Sequence, residues 1–278
     1  MKKILILGAK GMLGRQLLAE FGAGAIGWDR EESDVTRFSD LRLKIRDSGP
    51  DAIINCVAFN DVDGAEERGE IADLLNAEVA AELAKITNEL GIPLVHFSTN
   101  YVFDGKQGEY LESDRPAPLS VYGRSKYRGE QLIRQNADKF YLVRTAVLFG
   151  EKGVSELSKK SFVEIMLELS EKTATIKAVN DEVNSLTYVA DLAANVKRLL
   201  DEQVPFGIYH ITNSGSASWY DFAKEIFSIT GKKINLIPVP STDFPRKAVR
   251  PNKAVLLNTK LPAIRPWQEA LREFLISK

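Results

Sequence analysis

Three glycines, Gly8, Gly11 and Gly14, follow the apolar run Ile4-Leu5-Ile6-Leu7 and lead straight into an amphipathic stretch that starts at Met12. A strand that ends in a glycine turn and passes at once into a helix is the opening half of a βαβ unit. Such a unit commits the chain to a parallel sheet, because parallel strands need long crossover connections and those connections cover both faces. The first half of the chain keeps that alternation. Residues 4–7, 25–28, 52–56, 94–97 and 141–143 are short and almost wholly apolar, as strands buried on both faces are. Residues 12–20, 38–46, 71–90 and 122–135 carry the 3.6-residue spacing of the intervening helices. Gly91-Ile92-Pro93 supplies the glycine and proline that close the third of these.

The texture changes after Gly150. Residues 151–160 are polar and read as a loop, 162–169 and 188–200 as helices, and 207–212 as a strand able to extend the sheet. Ser218 is a plausible cap for a helix over 218–230, residues 234–239 read as a strand, and 267–276 close the chain with a helix. The expected architecture is α/β, a Rossmann-type doubly wound parallel sheet with a smaller C-terminal substrate-binding lobe. Residues 1–150 form the dinucleotide-binding domain in this reading. Residues 151–278 form mainly the lobe, with a segment at about 176–212 returning to the sheet.

Composition narrows the function classes. A formal net charge of −1 offers no global attraction to nucleic acid or an anionic membrane. No segment approaches the roughly 20 apolar residues of a membrane span, and the apolar N-terminal run is too short for a signal peptide. Cys56 is the single cysteine, so no intrachain disulfide can form, and its apolar surroundings suit a structural thiol. A cytoplasmic protein is expected. His96 and His210 sit in apolar runs without a second ligand at metal spacing, and no metal site is expected.

The glycine turn reads as a phosphate site because of its context. Bare backbone lets a pyrophosphate approach, and the helix that begins at Met12 and Leu13 presents free N–H groups and the positive end of its dipole. Asp29 and Arg30 end the second strand. The acid is placed to bond ribose hydroxyls, as in NADH sites, whereas the arginine suits a 2′-phosphate, so NADPH and NADH both stay open. Asp34 and Val35 fall where an adenine ring would lie, and Cys56, Val57 and Ala58 at the end of the third strand would run along the cofactor.

The chemistry is expected farther along. Ser98 and Thr99 end the strand at 94–97, and ligands in this architecture bind beyond the carboxyl ends of the strands. Tyr122 and Lys126 are four residues apart and share a helix face, so the ammonium is expected to favour the phenolate of a tyrosine whose ordinary pKa is about 10. A Tyr four residues before a Lys is common by chance. After a dinucleotide turn and a strand-end hydroxyl, it reads as a proton donor with its tuner: Tyr122 protonates a carbonyl oxygen, Thr99 polarises it, and Lys126 also grips the nicotinamide ribose.

These residues resemble a known family. Val95-His-Phe-Ser98-Thr99-Asn100-Tyr-Val-Phe-Asp104-Gly, Val121-Tyr122-Gly-Arg-Ser-Lys126-Tyr-Arg-Gly-Glu130 and Val143-Arg144-Thr145 are similar to the dTDP-4-dehydrorhamnose reductases, extended short-chain reductases whose turn also reads GxxGxxG. The similarity runs on through Asn180-Asp181-Glu182, Ser218-Trp219-Tyr220-Asp221-Phe222 and Arg250-Pro251. It implies reduction of the 4-keto group of a nucleotide-linked 6-deoxyhexose, with Thr99, Tyr122 and Lys126 in catalysis and a homodimer as the assembly. Asn100, Tyr101, Phe103, Asn184 and Arg250 would face the sugar nucleotide. Neighbouring branches include sugar-nucleotide epimerases, reductases of other keto sugars and the regulatory β subunit of methionine adenosyltransferase. The chain departs from the family pattern in several places. Asn100 replaces an acid, Asn184-Ser-Leu186-Thr187 replaces Gly-x-Pro-Thr, and Phe59-Asn60-Asp61-Val62-Asp63 replaces Thr-x-Val-Asp. Ala146-Val147 replaces an aromatic pattern, and Gln16 stands where some members carry a magnesium-binding Glu.

Overall fold

The computed structural model describes residues 2–155 and 158–276. Its strands are β1 Ile4–Leu7, β2 Ala25–Trp28, β3 Ala52–Asn55, β4 Leu94–Thr99, β5 Gly108–Tyr110, β6 Phe140–Thr145, β7 Leu148–Phe149, β8 Thr175–Val179, β9 Val183–Asn184, β10 Thr187–Tyr188, β11 Gly207–His210, β12 Ala217–Ser218, β13 Asn235–Val239 and β14 Lys253–Leu256. Its helices are α1 Met12–Phe21, α2 Phe38–Ser48, α3 Val62–Glu67, α4 Gly69–Asp73, α5 Val79–Leu90, α6 Val121–Asn136, α7 Phe162–Lys172, α8 Val189–Asp201, α9 Trp219–Thr230 and α10 Trp267–Ile276.

Six parallel strands form the central sheet in the order β11-β6-β4-β3-β1-β2. Alternate side chains of each strand serve opposite layers. Ile4 and Ile6 of β1 pack with Leu13 and Leu17 of α1 and with Leu192 and Val196 of α8. Leu5 and Leu7 pack with Leu41 and Ile45 of α2, Leu83 of α5 and Ile133 of α6. Both faces are thus covered, which is why these strands carry no polar alternation. The strand expected at 207–212 does extend the sheet, pairing with β6 from Gly207 to His210.

The lobe packs α7, α9 and α10 around Phe149, Phe222, Trp267 and Phe274. Ser218 caps α9 with a reciprocal capping box through Asp221. Its four-stranded sheet, β12-β9-β14-β5, takes β5 from the long connection after β4, so the turn that follows Thr99 is anchored in the lobe. Strand β8 pairs with β13 rather than with the central sheet. Within the polar loop expected at 151–160, Glu156 and Leu157 lie outside the described residues. No helix among the described residues is long and apolar enough to cross a membrane.

The helix expected over 71–90 is unbroken but not α-helical throughout. Between α4 and α5 the backbone widens into a π-helical segment, Leu74–Glu78. Asn76 in that segment is fully buried; it donates to Phe59 O at 3.0 Å and to Ser125 Oγ at 2.9 Å, and accepts from Phe59 N at 2.9 Å. A Cβ at Gly129 would lie 2.2 Å from Asn76 O, so α6 sits directly on the bulge. The apolar spacing of 71–90 carries no trace of this, because the widening is set by a side chain reaching two other segments.

Candidate active site

The site forms where β4 ends and α6 begins. Ser120 caps α6 by accepting from Gly123 N at 3.1 Å. A Cβ at Gly123 would fall 2.4 Å from Tyr101 O, so the first turn of α6 packs against the turn after Thr99. That contact brings the Tyr101 and Tyr122 rings edge to face, 6.0 Å apart at 80°. Thr99 accepts from Tyr101 N at 3.2 Å and caps the same turn.

The structure brings Thr99 and Tyr122 into hydrogen-bonding reach and places Lys126 one turn farther along α6, with electrostatics that differ from the expectation. Burial pushes the Tyr122 phenol up to about 12, hydrogen bonding with Thr99 pulls it back, and Tyr101 pushes it up further. Lys126 is not among the causes, and its Nζ donates to Phe97 O at 2.6 Å. Burial brings Lys126 itself down to about 8, against the upward pull of Glu130 and Cys56. Helical spacing puts both residues on one face of α6. It did not reveal that this helix face is dry, where desolvation outweighs charge attraction.

The glycine turn fits a dinucleotide. Gly8 adopts φ +75°, and a Cβ at Gly14 would lie 2.2 Å from Gly8 O, so the loop keeps bare backbone against the start of α1. Gly11 is the N-cap of α1. Leu13 packs into the core, and Met12 lies half-buried against it. Asp29 binds the loop to β2, accepting from Lys10 N at 2.9 Å and from Arg30 N at 2.9 Å. Arg30 is exposed and lines a cavity of about 310 Å³ with Ser33, Asp34, Arg37 and Lys44. Asp34 accepts from Thr36 N and Oγ1, while Val35 is buried in the core. Cys56, Val57 and Ala58 are half-buried at the end of β3, and the Cys56 carbonyl carbon would lie 3.1 Å from a Cβ at Gly8. Burial pushes the Cys56 thiol far above its usual range.

The residues expected at the sugar nucleotide divide. Arg250 and Tyr101 are brought together, with hydrogen bonding between them. Arg250 donates to Asp63 Oδ1 at 3.1 Å and Oδ2 at 2.7 Å, a two-pronged pair between α3 and the loop before β14. Asp63 is held at about 2 by that pair, assisted by the Ala248 N–H. Beside it, Arg246 pairs with Glu182, which also accepts from Trp219 Nε1 at 3.1 Å. Asn100 and Asn184 are buried against each other. Phe103 is fully buried and stacked on Tyr110, with centroids 4.2 Å apart, so its ring is not exposed to a ligand.

Ser98 turns its hydroxyl to Glu130 Oε1 at 2.5 Å, and Arg144 grips the same carboxylate. Sequence reading did not assign Glu130, Arg144 or Asp63. For Glu130 a signal existed, since it follows Lys126 by a further four residues on the same helix face. His96 Nδ1 lies 3.1 Å from Asn55 Nδ2 and His210 Nδ1 lies 3.0 Å from Leu257 O, contacts of structural histidines. Among the described residues no three His, Cys, Asp or Glu side chains gather as a metal-binding group.

Comparison with known proteins places these features in a family. Residues 1–277 match the family model described as RmlD substrate binding domain. The spore coat polysaccharide biosynthesis protein SpsK of Bacillus subtilis is 36% identical, over 99% of this chain and 97% of its own. The dTDP-4-dehydrorhamnose reductase of Aggregatibacter actinomycetemcomitans is also 36% identical, over 98% of each chain. The crystal structure of dTDP-4-dehydrorhamnose reductase from Bacillus anthracis, in complex with NADP, superposes with a TM-score of 0.94 at 34% identity, covering 100% of this chain and 99% of that one. With its glycine cradle, its strand-end Thr99 and its full-length match, this chain belongs to the RmlD substrate binding domain family.

Proposed function

We propose that the protein is an NADPH- or NADH-dependent reductase of the 4-keto group of a nucleotide-linked 6-deoxyhexose, such as dTDP-4-dehydrorhamnose. The observation that carries this reading is the Tyr122 phenol hydrogen-bonded with Thr99 at the end of β4, in a chain whose first βα turn is a tight glycine cradle. Full-length similarity to reductases of dTDP-linked keto sugars supports the substrate class.

Gly8, Gly11, Gly14 and the first turn of α1 would hold the pyrophosphate, with Asp29 at the ribose end. The bound cofactor supplies hydride. The remaining work falls to the chain's own side chains. Tyr122, held near 12, stays protonated at neutral pH, and that is the form that delivers a proton to the carbonyl oxygen. Thr99 hydrogen-bonds the same oxygen and steadies charge developing there. Lys126, one turn farther along α6, would hold the nicotinamide ribose. Arg250, a planar fork, suits the diphosphate of the sugar nucleotide.

The test is direct. The purified protein is mixed with dTDP-4-dehydro-6-deoxy-L-mannose and NADPH or NADH, and the reduced-nicotinamide absorbance is followed. Oxidation is expected, and Tyr122→Phe should slow it by roughly 10²–10⁴-fold, the usual contribution of a general acid. Wild-type turnover no faster than that of Tyr122→Phe would sink the proposal.

A further inference from the structure

Tyr122, Lys126 and Glu130 lie at i, i+4 and i+8 on α6 and so form one stripe on the helix. That stripe is joined residue by residue to the last three positions of β4. Tyr122 meets Thr99, Lys126 Nζ donates to Phe97 O at 2.6 Å, and Ser98 donates its hydroxyl to Glu130 Oε1 at 2.5 Å. From β6, Arg144 closes on the same carboxylate, with Nε 2.9 Å from Oε1 and Nη2 2.7 Å from Oε2.

The arrangement is almost wholly dry: Glu130 and Arg144 are each 1% exposed and Lys126 is 3% exposed. A buried ion pair of this kind is a poor source of stability, since desolving both charges cancels most of their attraction. Its position suggests another use. The groups that act on Lys126 are Glu130 on its own helix and Cys56 at the end of β3, and Lys126 in turn acts on His96 of β4. Burial keeps the Cys56 thiol and the His96 ring neutral, so among these groups the negative charge comes from Glu130. Arg144 stands on the other side of that carboxylate, on β6.

We propose that Glu130 is a positioning residue for Lys126: clamped by Arg144 and Ser98, its carboxylate keeps the lysine charged and fixes the helix face that aims Tyr122 at the end of β4. The proposal rests on the reading of Tyr122 and Lys126 given above. Its test observes the lysine directly, so the two can fail separately.

Lysine labelled with carbon-13 at the ε position is followed by NMR against pH in the protein without ligands, and Lys126→Met identifies the resonance. The wild-type midpoint is expected near 8. Glu130→Gln should lower it by about one unit or more, a tenfold or larger shift in the ionisation equilibrium. Because that variant leaves Arg144 buried without a counter-charge, it is paired with Glu130→Gln/Arg144→Gln, which keeps a neutral, hydrogen-bonded couple. The same downward shift is expected there, and Glu130→Asp should return the midpoint toward the wild-type value. A folded double variant whose Lys126 midpoint stays where it was overturns the proposal, whatever the enzyme's activity.

Discussion

Asn100 donates its side-chain amide to Asn184 Oδ1 at 2.8 Å and to Ala254 O at 3.1 Å, tying the end of β4 to two strands of the lobe sheet. Both asparagines are almost fully buried, at 2% and 3% exposure. The residue after Thr99 is therefore committed to holding the lobe against the sheet. Restoring the acid more usual in the family should be harmful in this chain. Asn100→Asp replaces a donor with a charge that faces two acceptors, and a buried group left unsatisfied costs about 1–3 kcal/mol, more if charged. Urea denaturation should show a loss of that size at pH 7, shrinking as pH falls through the raised folded-state pKa of the buried carboxyl and gone below about pH 4, where the acid is protonated in both states and regains a donor. Equal stability at pH 7 would mean that the latch carries no weight.

The glycines of the dinucleotide turn are not equivalent. A Cβ at Gly14 would meet Gly8 O at 2.2 Å and Ala9 Cα at 2.8 Å, both backbone, whereas at Gly11 its nearest neighbour is Gly8 O at 3.2 Å. Gly14→Ala should push the loop off α1, costing roughly 1–3 kcal/mol of stability by overpacking and most of the dinucleotide affinity. Gly11→Ala should fold within about 1 kcal/mol of wild type, since its φ of −70° suits any residue. Cofactor titration followed by protein fluorescence, with thermal unfolding on the same samples, separates the two.

Asp63 pairs with Arg250 and Glu67 with Lys247, so α3 and the loop before β14 are clasped together. The pair fixes the orientation of Arg250 for the diphosphate role proposed above. Asp63→Asn should free the guanidinium and raise KM for the nucleotide sugar about tenfold while changing kcat much less, the pattern of a lost binding interaction outside the reacting atoms. Steady-state kinetics decide it: a fall in kcat with KM unchanged would place Asp63 in the chemistry instead. With Asp63 held near 2, the clasp is intact at neutral pH and opens only as pH falls through that value.

Much of this molecule was legible in its residues, for identifiable reasons. Strands covered on both faces must be continuously apolar, so β1 and β2 were bounded correctly from Ile4 to Leu7 and Ala25 to Trp28. The glycine turn declared itself because Gly8 and Gly14 stand where no side chain fits. What escaped depends on partners distant in sequence. Asn76 widens its helix by bonding Phe59 and Ser125, β5 crosses into the lobe to pair with β14, and Glu130 meets an arginine on another element. The sign of the Tyr122 shift was missed for a further reason. Spacing reports who is near whom, but not how much water remains between them, and here the loss of water dominates.

Lys126 yields the prediction in which function and stability pull apart. Its amine falls from an ordinary 10.5 to about 8 because burial disfavours the charge. A gap of that size corresponds to roughly 3 kcal/mol against the folded state while the lysine is protonated. Lys126→Met removes the charge but leaves Phe97 O without its donor, a loss of about 1 kcal/mol, so the variant should be more stable than wild type by roughly 2 kcal/mol at pH 7. The sign with pH follows from the depressed value. Below 8 the lysine is charged in both folded and unfolded chains and the penalty is complete; between 8 and 10.5 the unfolded chain holds the extra proton and wild-type stability climbs. The advantage of Lys126→Met should therefore narrow as pH rises from 8 to 10.5, read from urea unfolding at pH 7 and pH 10. A variant less stable than wild type at pH 7 would show that Glu130 and the Phe97 carbonyl fully offset the burial of the ammonium. The expected result, a sturdier protein that no longer turns over its substrate, would mark Lys126 as a charge kept in the fold for its chemistry.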